Sequence, residues 1–220
     1  MLRRSPFALC LAAAFVSLVA LTPRFAAAEE EPEPAWQSAP AEHRSGFTAG
    51  LALGLGVGSV AGYPNDIRKI GFESYYTESG LALGGGAHFW IGGALSDWLN
   101  FGIGFAGGSL GTADLASGGG GIVFRVETFP LYAMNGVYRD LGVSLEAGTG
   151  GSSTTPADDP DTVLIDSGSA SMLGIGGFYE GIRVWQLGMG PFASFDYLWS
   201  DTVRQPQLLL GWRTAVYSGP

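Results

Sequence analysis

The chain has 220 residues with 11 basic and 20 acidic side chains, a formal net charge of −9, one cysteine and a mean hydropathy of +0.22. The acidic balance excludes nucleic acid as a partner, and 36 glycines without a three-residue period, among 46% apolar residues, exclude collagen and a low-complexity linker. After residue 28 no apolar run reaches the roughly 18 residues of a membrane-spanning helix, because glycine or polar residues interrupt each one.

Arg3 and Arg4 precede an apolar run from Phe7 to Leu21, and Ala26-Ala27-Ala28 closes it. This pattern reads as a secretory signal peptide, residues 1–28, cleaved after Ala28. Cys10 lies inside it, so the exported chain holds no thiol and its fold rests on packing, hydrogen bonds or a lipid solvent. Loss of Arg3, Arg4 and Arg24 leaves 8 basic against 20 acidic residues, a charge of −12. Residues 29–45, EEEPEPAWQSAPAEHRS, are acidic and proline-rich and read as a disordered periplasmic tail that includes His43. Residues 46–217 are then the length of one domain.

In that domain the recurring signal is alternation. Phe47, Ala49, Leu51, Leu53, Leu55 and Val57 share one parity, while Thr48, Gly50, Ala52, Gly54, Gly56 and Gly58 share the other. Period-two patterning recurs in eight segments: 46–58, 80–92, 98–108, 120–131, 138–149, 170–184, 187–199 and 207–217. Most are longer than the five or six residues typical of a soluble strand and long enough to cross a bilayer when tilted. The connections alternate in kind: 59–79 long, 93–97 short, 109–119 middling, 132–137 short with an Asn-Gly turn signal, 150–169 long, 185–186 minimal, 200–206 middling. That wiring predicts an all-β fold, an eight-stranded antiparallel up-and-down transmembrane β-barrel with both termini on the short-turn side.

Sorting each segment by parity separates two faces. One carries Leu51, Leu53, Phe89, Ile91, Phe101, Ile103, Phe124, Leu145, Ile175, Phe195, Leu210, Trp212 and similar residues, without charge apart from Arg183 near a turn; the other carries His88, Asn100, Arg125, Glu127, Glu146, Glu180, Asp196 and Arg213. Lipid admits no unpaired charge, so the charged, glycine-rich face is expected inside. The lumen of an eight-stranded barrel is just wide enough for side chains to fill, and inner glycines make room for larger residues opposite. Aromatics near strand ends are expected as interfacial girdles: Phe47, Trp90, Trp98, Phe129, Tyr132, Tyr138, Trp185 and Tyr217 at the short-turn rim, Tyr197 and Trp199 at the loop rim.

Taken together, the leader, the cysteine-free exported chain, the eight alternating segments and the long-short connections resemble the small outer-membrane barrels of the OmpA, OmpX and OmpW type. The resemblance is architectural and covers about residues 46–217. It implies residence in the bacterial outer membrane with outer-membrane lipid as solvent.

The inward charges Arg125, Glu127, Glu146, Glu180, Asp196 and Arg213, with His88, are the one constellation on which chemistry can rest. Paired, they plug the lumen; hydrated, they would line a narrow pore whose four acids against two bases favour cations. Catalysis is not expected, since His88 has no serine or acid beside it in sequence. No cofactor or metal is expected: there are two histidines in all, one in the tail, and Asp158, Asp159, Asp161 and Asp166 lack the spacing of a calcium loop. The expected role is structural or surface-interacting, with an extracellular ligand at loops 59–79 and 150–169. The alternatives are the narrow pore, and a soluble periplasmic barrel with its apolar face inward around a small apolar ligand.

Overall fold

The computed structural model describes residues 44–134 and 136–219. The expected signal peptide with Cys10 and its cleavage site, and the expected tail up to His43, lie outside the described residues.

The described residues form twelve strands: β1 (Gly46–Gly58), β2 (Ala61–Gly62), β3 (Thr77–Glu78), β4 (Ala82–Ser96), β5 (Leu99–Gly111), β6 (Leu115–Thr128), β7 (Leu141–Pro156), β8 (Ile165–Asp166), β9 (Ala170–Tyr179), β10 (Ile182–Val184), β11 (Leu187–Trp199) and β12 (Val203–Tyr217). The eight long ones pair antiparallel in the order β1, β4, β5, β6, β7, β9, β11, β12, and β12 returns to β1, so the sheet closes on itself without a free edge. The fold is an eight-stranded up-and-down barrel.

Parity decides the two faces as expected. The outward residues are exposed and apolar, from Leu55 and Leu81 at 79% to Phe105, Leu145 and Leu210. On the long strands the one outward charge is Arg204, exposed at the loop end of β12. Inward lie His88, Asn100, Arg125, Glu127, Glu146 and Arg213, all buried. An apolar lumen for an apolar ligand is therefore the arrangement this barrel does not have.

Four sequence expectations are corrected. The 109–119 connection is a tight turn at 112–114, because β5 continues to Gly111 and β6 already runs from Leu115 through Ala116, Ser117, Gly118 and Gly119, whose small side chains hide the alternation. For the same reason β7 runs on through Gly150–Pro156 and shortens the following loop. The connection expected as a hairpin at 132–137 occupies 129–140, with a 3-10 turn at Gly136–Asp140, and turns Phe129 and Arg139 inward. The 170–184 segment is broken: Tyr179, Glu180 and Gly181 face only Gly190 and Pro191, between the pairs Phe178–Phe192 and Ile182–Met189. This extra residue is a bulge that reverses the parity, so Arg183, expected outward, turns inward and bonds Asp140 at 3.1 Å. Pro191, which has no N–H to give, sits at the same irregularity.

On the loop side, β2 pairs with β12, β3 with β2, and β8 with β7. Tyr63 donates its N–H to Thr202 at 2.8 Å, and Thr202 Oγ1 donates to the Asp166 carbonyl at 2.8 Å. Val60, Ile165 and Val203, each at most 1% exposed, lie beneath these ties in one apolar layer with Leu198 and Met172. The loop bases are thus closed over the barrel, while Ile67, Phe72, Tyr75 and Tyr76 remain exposed on the 59–79 loop.

Candidate functional site: a column of paired charges in the lumen

Inner glycines create the space for the site. A Cβ on Gly50 would overlap the Trp90 indole, one on Gly142 the Phe178 ring, and one on Gly174 would stand 2.7 Å from Asp196 and 3.2 Å from Glu146. Trp90, Phe178, Phe129, Phe192 and Tyr217 fill the terminal half of the lumen as one apolar cluster. Three of these correct the girdle assignment: Trp90 (2% exposed), Phe129 (0%) and Tyr217 (2%) face inward, since each lies on the parity of the charges. Phe47, Trp98, Tyr132, Tyr138, Trp185 and Trp199 are exposed at the rims, with Tyr197 half-buried and stacked on Trp199 at 5.4 Å.

Between the rings runs a continuous chain of ion pairs. At the terminal rim Arg44 donates its backbone N–H to Asp97 at 2.8 Å and Nη2 to Asp140 at 2.6 Å, while Arg139 pairs with Asp97 at 2.6 Å. Arg44 Nε lies 3.5 Å from Glu180. Glu180 accepts from Arg213 Nη2 at 2.6 Å and from the Tyr217 hydroxyl at 2.8 Å. Arg213 also bonds Glu127 at 3.0 and 3.2 Å, and Glu127 accepts from Arg125 Nε at 2.7 Å and Asn100 at 3.3 Å. Arg125 reaches on to Glu146, whose other oxygen meets His88 Nδ1 at 3.0 Å. The column ends where His88 Nε2 faces Asp196 Oδ2 at 3.3 Å.

Rings and cations interleave. Arg125 and Arg213 stand 4.2 and 4.9 Å from the Trp90 ring centroid, Arg213 lies 3.5 Å over Phe178, and Arg44 lies 3.5 Å over Phe129. The planar guanidinium serves this arrangement because it stacks on a ring face while its edge donates to carboxylates. Each buried charge is compensated, which is the condition under which a low-dielectric interior tolerates it.

All seven expected lumen residues are brought together. Sequence reasoning missed Arg44, assigned to the tail but fully buried here, and also Asp97, Arg139 and Asp140 in the terminal-side connections. Each flanks a strand rather than lying in one, so the only signal was a charge adjoining a strand end. With them the lumen holds Arg44, Arg125, Arg139, Arg183 and Arg213 against Asp97, Glu127, Asp140, Glu146, Glu180 and Asp196, which removes most of the acidic excess from which cation selectivity was argued. The lumen includes a small cavity of about 10 Å³ beside His88, Glu146 and Asp196, and another of about 20 Å³ beside Asp196, Gln205 and Gln207. His88, Glu146 and Asp196 offer ligand atoms within 4.8 Å of one another, so they are the described residues that could hold a metal ion.

No protein-family model matches the chain, and no curated protein matches its sequence. Solved structures do. The Yersinia pestis attachment invasion locus protein Ail superposes with a TM-score of 0.47 at 11% identity, covering 77% of this chain and 98% of that one. Neisserial surface protein A gives 0.44 at 12% identity over 77% and 95%, and the Pseudomonas aeruginosa outer membrane protein OprG gives 0.41 at 8% over 80% and 98%.

Proposed function

We propose that this chain is a non-enzymatic bacterial outer-membrane protein, exported by the leader that ends at Ala28, with a structural or surface-interacting role and a lumen plugged by its own ion pairs. One observation carries the reading: the closed barrel exposes its apolar parity and buries and pairs the charges of the other. In water this exterior would present a contiguous apolar band far larger than soluble monomers tolerate; in a bilayer it meets hydrocarbon, and tilted strands of 9–11 residues suffice to cross it. The long strands here hold 10 to 16 residues.

A pore is disfavoured, because buried ion pairs and the ring cluster around Trp90 and Phe178 fill the lumen's cross-section, and the cavities beside Asp196 hold roughly one water each. The exposed Ile67, Phe72, Tyr75 and Tyr76 on the 59–79 loop, and the acidic Asp158, Asp159 and Asp161 on the 157–169 loop, are the surfaces offered to an extracellular ligand.

The test is fractionation of cells expressing the chain, followed by gel mobility in SDS with and without boiling, and conductance in planar bilayers. The protein is expected in the outer-membrane fraction, with a heat-dependent mobility shift and no conductance steps above the lipid background. Recovery in the soluble periplasm would overturn the membrane reading, and discrete steps would overturn the plugged lumen.

A further inference from the structure

His88 is 3% exposed and lies between two carboxylates. Glu146 Oε2 stands 3.0 Å from Nδ1, and an ionised carboxylate only accepts, so Nδ1 carries the proton of that bond. Glu146 is itself held by Arg125. Nε2 lies at ion-pair distance, 3.3 Å, from Asp196 Oδ2, yet the contact misses straight hydrogen-bond geometry. At 3.3 Å a collinear N–H would make a hydrogen bond, so Oδ2 stands off the axis of the ring nitrogen.

Off-axis placement at this separation also fits two ligands of one metal ion. Two ligand atoms, each about 2.0–2.1 Å from one metal ion and subtending a tetrahedral angle, lie about 3.3 Å apart and out of line with the imidazole lone pair. The far nitrogen of such a histidine commonly donates to a carboxylate that fixes the tautomer and raises ligand basicity. Glu146 stands in that position. Ser194 Oγ donates to Asp196 Oδ2 at 3.0 Å and holds the carboxylate in place.

We propose that His88 Nε2 and Asp196 Oδ2 form a binding site for a borderline divalent cation of the zinc class, with Glu146 orienting the imidazole and water completing the coordination. Imidazole with one carboxylate selects such ions over calcium or magnesium, which prefer all-oxygen shells. Asp196 lines both small cavities, and Gln205 and Gln207 line the second, so neutral amides border its carboxylate on that side. Gly174 leaves room for this carboxylate, since a Cβ there would stand 2.7 Å from Asp196.

The experiment titrates the full chain, folded in detergent, with Co²⁺ as an optical probe and then displaces it with Zn²⁺. One Co²⁺ per barrel with visible d–d absorption is expected. Affinity should fall at least tenfold in D196N, which keeps side-chain shape, and by about 10–100-fold in E146Q. The heat-dependent mobility shift reports that each variant is folded. No binding to the wild type would overturn the proposal. Binding that persists in D196N and vanishes when Asp158, Asp159 and Asp161 are changed to Asn would overturn it too, placing the ion on the loop.

Discussion

Gly50 and Trp90 face each other across β1 and β4, and the indole occupies the volume that any side chain at position 50 would need. The alternating glycines of the first strand are therefore half of a packing relation whose other half is an aromatic ring on the next strand.

Gly50→Val drives two methyl groups into the indole, and overpacking of this kind costs about 1–3 kcal/mol. Gly118→Ala in β6, where a Cβ would meet nothing within 4 Å, is the matched control. Urea unfolding in detergent or lipid should show a lowered midpoint for the first and no shift for the second.

Glu127 joins Arg125 and Arg213. Glu127→Gln leaves two buried guanidiniums short of one counter-charge, for a loss of roughly 3–5 kcal/mol. Adding Arg213→Met should recover part of it, because the charge balance is restored while Glu180 keeps the Tyr217 hydroxyl and Arg44. Equilibrium unfolding of both single variants and the double variant measures this recovery.

Arg44 ties the segment before β1 to Asp97 and Asp140 at the terminal rim. Arg44→Ala should destabilise the barrel by about 3–5 kcal/mol, since it strands buried carboxylates, and should raise proteolysis of the chain near residue 44. An unfolding midpoint equal to the wild type would show that the rim pairs carry no net stability.

Trp185 is 99% exposed and has a φ of 56°, the left-handed region that disfavours a side chain, in the two-residue turn between β10 and β11. Such a conformation costs of order 1–3 kcal/mol, so Trp185→Gly should raise the unfolding midpoint in detergent. In bilayers the gain should shrink or reverse, because an indole at this rim anchors in the headgroup layer. Equal gains in both media would mean that Trp185 makes no use of the interface.

The strand count, the antiparallel wiring and the two faces were legible in the sequence, because side-chain direction alternates with a period of two and lipid or water enforces the sorting at every position. Leu53 and His88 reveal their sides by residue type alone. Where the residues are small, as in Gly118–Gly121 or Gly150–Thr154, nothing separates strand from loop, and only cross-strand hydrogen bonding fixes the ends. Tertiary structure alone decided that the extra residue at Glu180 and Gly181 turns Arg183 inward, that Arg44 belongs to the barrel, and that Trp90, Phe129 and Tyr217 are lumen rather than girdle. Which charge meets which is likewise a matter of register around a closed ring: His88, Glu146 and Asp196 lie 50 or more positions apart, and only closure brings them within reach of one another.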